Sequence, residues 1–251
     1  MKLVFKILCF FFSISIFGQS TLENIFLNIP LTYIENSEKE FRKVLISKFH
    51  EKQPVYLLSG YEGCFFSLDD LTKRAHSSKK QSKIYFKDFL PSNGYLSLNE
   101  VCINCETGLI VTICYWNLAN GSKLVCKKEM IQECCGPFDD ELEFYEYQQN
   151  GNLKIVDSYN VLPKLDISDV INITAVEKNN LDINNIKPFF LKPLEKFYKL
   201  PKKGTNIEFP ISFFEDYLTT DQLEVFNKFK DFYFNKIIYV WNGNSFEIKS
   251  I

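Results

Sequence analysis

The segment LIVTICYWNLANGSKLVCK, residues 109 to 127, constrains the fold more than any other stretch. Two runs of β-branched and aromatic residues flank Asn120-Gly121, a dipeptide that suits the backbone twist of a tight hairpin. The same device recurs at Asn150-Gly151, after the strand-like ELEFYEY (141–147), and at Asn242-Gly243 in the closing NKIIYVWNGNSFEI. The expected strands are 108–117, 122–128, 141–148 and 152–158, and joined in order they make an antiparallel meander. ELEFYEY places Glu141, Glu143 and Tyr145 on one face and Leu142, Phe144 and Glu146 on the other. That alternation predicts a sheet with one polar face, which the N-terminal helices could cover or which could be left open to bind something. Three Asn-Gly units raise the question of an internal duplication. Asn-Gly is also simply the best hairpin turn, and this reading is preferred.

Helical signals surround the meander. Ser37 and Glu40 form a capping box ahead of apolar residues at helical spacing, predicting a helix over 37–50. PVYLLSG (54–60) reads as a strand, Ser67 as the N-cap of a short helix over 67–76, and 77–83 as a polar loop. KIYFKDF (83–89) reads as a strand and LPSNGYLSL as a turn into another. One short helix is expected near Ser168 to Ile173, and a capped helix over 219–232. The fold class is therefore α+β: an antiparallel, hairpin-rich sheet with a few short helices packed on it, a pattern compatible with two similar α+β halves. The expected organisation is a leader (1–20), an α+β domain around the meander (21–158), a connection (159–187) and a smaller C-terminal α+β part (188–251).

The leader has a basic start, Lys2 and Lys6, and an apolar run from Leu3 to Phe17 broken only by Lys6, Ser13 and Ser15. Gly18 and Ser20 then put small residues at positions −3 and −1 of a cut before Thr21. This is the layout of a secretory signal peptide. The run is too short for a spanning helix, which needs about 20 apolar residues. Small residues do not precede Cys9, as a lipid anchor would require. The mature chain is expected to be exported, to the periplasm or beyond, with no transmembrane anchor.

Six of the eight cysteines fall between Cys102 and Cys135. In an exported chain they read first as disulfide partners. Removal of Cys9 leaves an odd number. The Cys102/Cys105 and Cys134/Cys135 segments flank the hairpin and would meet at one end of a meander, so a bridge between them is expected. Closing that loop would stabilise by roughly 3–4 kcal/mol in the loop-entropy account. Four zinc ligands are a weaker reading, because adjacent cysteines on a strand point to opposite faces. A redox Cys-x-x-Cys would open a helix, whereas a β-rich run follows here. Cys114 faces Cys126 if Ala119-Asn120-Gly121 is a three-residue loop; a two-residue loop puts them on different faces.

The apolar (46%) and charged (24%) fractions are those of a globular chain, and a net charge of −2 lacks the basic footprint of nucleic-acid binding. No nucleophile elbow, zinc-protease, phosphate-loop, dinucleotide or EF-hand motif is present. His50 and His76 lie near expected helix ends, where the dipole suits a cation. Asp139, Asp140, Glu141 and Glu143 read as a solvated strand end rather than a calcium loop. No catalytic residue, metal ligand or cofactor is assigned. Aromatics make up 16% of the chain. Tyr115, Trp116, Glu143, Tyr145 and Tyr147 lie on adjacent expected strands and form the candidate surface patch.

The leader ending FSISIFGQ, the block CYWNLANGSKLVC…CCGPFDDELEFYEYQQNGNL and the close KLPKKGTNI…IIYVWNGNSFEI resemble uncharacterised exported proteins of Bacteroidota, a domain-of-unknown-function family. The resemblance implies an exported α+β protein and carries no catalytic residue. The expected role is a non-enzymatic binding or accessory module that uses a sheet surface to hold a protein, peptide or glycan. The alternatives are an exported hydrolase with a carboxylate-based site and a proteinaceous inhibitor or immunity factor.

Overall fold

A computed structural model describes residues 21–31, 39–53, 55–58, 81–102, 108–132, 139–185, 198–211 and 218–251. The chain forms two compact units, divided between Ile155 and Val156.

In the first unit, residues 21–28 are helical (α1). Leu22, Ile25, Phe26 and Ile29 recur at helical spacing and are fully buried. Pro30 stops the helix, because it has no N–H to donate. Helix α2, Lys39–His50, buries Phe41, Leu45 and Ile46 on one side. Both helices lie on one face of a seven-stranded sheet. Phe26 and Phe49 meet Phe86 edge to face, at centroid separations of 5.3 and 5.6 Å.

The sheet runs in chain order: β1 (Val55–Leu58), β2 (Gln81–Leu90), β3 (Tyr95–Cys102), β4 (Gly108–Asn117), β5 (Lys123–Gln132), β6 (Asp139–Tyr147) and β7 (Leu153–Val156). The pairs from β1 through β6 are antiparallel. The expected meander is present, extended by β1–β3 on one side. A bulge in β2 between Phe86 and Asp88 lets Phe86 and Phe89, three apart, face the same core. Between β2 and β3 the backbone turns through Gly94 at φ 63°, and the Tyr115 ring stands 3.0 Å from where a Cβ would sit. Only glycine meets both demands.

The β4–β5 hairpin takes the three-residue loop. Leu118 N–H donates to Ser122 O, and Gly121 at φ 83° supplies the left-handed residue. Asn120 Oδ1 accepts from Ser122 N–H. The β6–β7 turn repeats this geometry, with Gln148 N–H on Asn152 O and Gly151 at φ 86°. At the third turn, Asn242 N–H donates to Ser245 O, so the loop is one residue shorter. The three turns share a dipeptide but not a register.

Of the two outcomes open to the polar face of the meander, cover by the helices is the one found. Glu143 and Tyr145 do not face water as a wet strand face. They lie under the helices beside Lys127 and Val125, while Phe144, on the opposite face, is buried as well. Both faces of the strand are covered at this point, so alternation of polarity did not report exposure.

The second unit contains α3 (Ser158–Val161), α4 (Ile167–Val170), α5 (Ile173–Lys178), β8 (Ile207–Pro210), α6 (Thr220–Lys228), β9 (Lys236–Trp241) and β10 (Phe246–Ser250). Its sheet is antiparallel in the order β10-β9-β8. The expected connection at 159–187 carries three helices up to Lys178, and Ile167, Val170, Ile171 and Val176 are core residues. Asp166 caps α4: its carboxylate accepts from Ile167 N–H, and its own N–H donates to Asp169 Oδ2. The helix expected at 67–76 lies outside the described residues, as does the Ser37 cap of α2.

Candidate functional site

The end of α2 is built to leave a cleft. Lys52 N–H donates to Phe49 O and Gln53 N–H to Lys48 O, closing the helix through a left-handed residue, Lys52, at φ 58°. The chain then turns toward β1, which pairs with β2. Between the helix end and β2 lies a cleft of about 570 Å³. It is lined by the core or core-packed Leu45, Phe49, Ile84 and Phe86 and by His50, Lys52, Gln53, Lys83 and Tyr85, of which Lys83 and Tyr85 stand on the opposite face of β2 from Ile84 and Phe86. His50 Nε2 stands 3.5 Å from Glu23 Oε1, and Lys83 Nζ sits 4.9 Å from the centre of the Tyr85 ring. Among the described lining residues there are two lysines and no carboxylate. The volume falls within the range of small-molecule sites, and an apolar floor with a few polar groups is their usual composition. His50 thus borders the cleft, whereas the sequence pointed only to a helix end.

A second cluster lies beneath the helices. Lys127 and Glu129, both 0% exposed, project from β5 on the side of Val111 and Ile113. Lys127 Nζ stands 2.6 Å from Glu129 Oε1 and also against Glu143 Oε2. Neither contact has the angles of a good hydrogen bond, so both act as ion pairs. Tyr145 O–H donates to Glu143 Oε2 at 2.8 Å. Burial alone would lower the Lys127 pKa, but Glu129 and Glu143 outweigh it and hold the ammonium above its usual value. Arg42 of α2 completes the group. Its Nη1 donates to Phe26 O and Ile29 O, carbonyls at the end of α1, and its charge faces Glu129. Burial lowers the Arg42 pKa, and Glu129 opposes that shift. Two acids and two cations neutralise each other, and together they tie α1, α2 and the sheet. Neither carboxylate lines the cleft.

The opposite face of the hairpin holds a third feature. Cys114 and Cys126 are directly opposed and carry free, buried thiols. Counting back from the Leu118–Ser122 hydrogen bond, they form a hydrogen-bonded pair, in which side chains diverge. Burial first, and then contact with the Cys126 thiol, pushes Cys114 well above the ordinary thiol range. Neither sulfur is a ready nucleophile in the folded chain.

The candidate surface patch does not assemble. Trp116 is 3% exposed and lies on the Cys126 face, while Tyr145 is 4% exposed and lies under the helices. Tyr115 and Tyr147 pack against the helix-side core, and Glu143 is in the ion cluster. Trp116 and Tyr145 are buried on opposite faces, while Tyr115, Glu143 and Tyr147 stay half-buried. Of the expected bridge, Cys105, Cys134 and Cys135 lie outside the described residues, and the side chain of Cys102 does too. Sequence reasoning missed Lys52 and Lys83, whose only signal is proximity to a helix end and a strand start. Among the described residues there is no group of three or more potential metal ligands, and no helix is long and apolar enough to cross a membrane.

No protein-family model, curated protein or solved structure matches the chain.

Proposed function

We propose that the protein is an exported binding module whose ligand sits in the cleft between the end of α2 and β2. The observation that carries this reading is the cleft itself, lined by the apolar Phe49, Ile84 and Phe86 and by the polar Lys52 and Gln53 at the end of α2. The leader supports export, since its charge, apolar length and small residues suit a cleaved signal. The sheet surface finds less support as the binding face, because Trp116 and Tyr145 are buried on opposite faces and Tyr115 and Tyr147 are half-buried against the core. A hydrolase built on paired acids finds less support. The two carboxylates brought together, Glu129 and Glu143, both hold Lys127, and neither lines the cleft.

A neutral apolar dye such as N-phenyl-1-naphthylamine tests the reading. One saturable site is expected in the native chain. Gln53→Trp, at an exposed lip position, should fill the cleft and abolish binding without lowering stability. Absence of saturable binding, or equal binding to the variant, would refute the proposal.

A further inference from the structure

Asn-Gly occurs at 93–94, 120–121, 150–151 and 242–243. It is a reactive dipeptide as well as a turn signal. The backbone nitrogen after an asparagine can attack the side-chain carbon Cγ, and glycine, with no Cβ, lets it approach. In sequence the sites are equal, and the structure separates them by the state of that nitrogen. Gly94 N–H donates to Pro91 O at 3.1 Å, Gly121 N–H to Leu118 O at 3.0 Å and Gly151 N–H to Gln148 O at 2.9 Å. In the shorter β9–β10 loop, Gly243 N–H donates to no group among the described residues.

The carbon under attack is also prepared at this loop. Oδ1 of Asn242 accepts from two backbone N–H groups, those of Asn244 at 3.1 Å and Ser245 at 2.9 Å. Both point at the oxygen on which negative charge builds when Cγ is attacked. Asn120 Oδ1 has one backbone donor, Ser122 N–H, together with the Ser122 hydroxyl, and Asn150 Oδ1 has Asn152 N–H. At both of those sites the glycine nitrogen is tied. Residues 242–245 are exposed, so water reaches the loop.

We propose that Asn242 is a self-modification site, which cyclises with Gly243 and deamidates ahead of the other Asn-Gly sites. Gly243 N bonds to Asn242 Cγ and gives its proton to water. The Cγ–Nδ2 bond breaks, and Nδ2 leaves as ammonia with a proton taken from water. Water then opens the succinimide at either carbonyl, leaving aspartate or isoaspartate. The balance is one water consumed and one ammonia released, with no oxidant or reductant. The new carboxylate stands beside Glu247, whose Oε1 accepts from Asn242 Nδ2 at 2.8 Å before the reaction.

The test incubates the full mature chain in mildly alkaline buffer, folded and in urea, and follows aspartate and isoaspartate at each site by peptide mapping. In urea the sites should react at similar rates. In the folded chain Asn242 should convert about fivefold faster than any other, the scale of one backbone hydrogen bond that need not break first. Asn242→Gln, whose ring would be one atom larger, should lose the product at 242 and keep the other rates unchanged. Equal rates in the folded chain, or a faster Asn93, Asn120 or Asn150, would overturn the proposal. So would conversion of Asn242 in urea but not in the folded chain.

Discussion

Lys127 shows how much a single side chain depends on its neighbours. An ammonium without water is costly and so is the fully buried Glu129 carboxylate, while Glu143 keeps 24% of its side chain exposed. Lys127→Met should therefore destabilise the chain by about 3–5 kcal/mol, because Glu129 and Glu143 lose their shared cation. Lys127→Met combined with Glu129→Leu should recover most of that loss, as apolar replacement of buried ions often does. Urea unfolding of the three proteins checks both values, and a single variant as stable as the parent would show that the cluster is not coupled. The pH dependence follows from the same contacts. Burial lowers the Lys127 pKa, but the two acids raise it further, so its folded value lies above the unfolded one. Its stabilisation is complete below the unfolded pKa, about 10.4, and is lost as pH rises through the folded value. The urea midpoint should fall more steeply above that pH in the parent than in the double variant.

At the scale of elements, the strands were legible because their signals are local. The β4 strand was expected at 108–117 and is Gly108–Asn117. Helix α2 was expected over 37–50 and occupies Lys39–His50. Helix α1 was not expected, although Leu22, Ile25, Phe26 and Ile29 carry its period, because it begins where the apolar leader ends. The expected disulfide falls on segments next to the ends of β3 and β5 and outside the described residues. β3 ends at Cys102 and β5 at Gln132, and both ends flank Gly108 at the start of β4. The loops that carry Cys105, Cys134 and Cys135 thus leave the sheet at one end. Non-reducing peptide mapping of exported protein should join a 102/105 peptide to a 134/135 peptide. Cys114 and Cys126 should resist alkylation until the chain unfolds. Five free thiols in those peptides and in Cys64 would refute the bridge.

For the whole molecule, the expected leader and the core meet at a narrow margin. Leu22 is fully buried, so the processing site must precede it for the mature chain to keep the α1 core. N-terminal sequencing of exported protein should find Gln19 or Thr21 first. An intact Met1 in that material would refute cleavage, and a start beyond Leu22 would mean that α1 is not part of the working fold. A stretch that ends one physical role and begins another is hard to read in one dimension, since both leader and core helix are apolar.

Turn dipeptides, strand alternation and capping boxes are properties of adjacent residues, and from them the chain alone determined its α+β class and its meander; the loop length that opposes Cys114 to Cys126 was decided by the structure. Exposure is a property of what covers a residue. Only the tertiary structure decided that Tyr145 is buried beneath helices, that Lys127 meets Glu143 from the neighbouring strand, and that the end of α2 borders β2 at a cleft. These partners are far apart in the chain, and no local pattern brings them together before the sheet and helices pack.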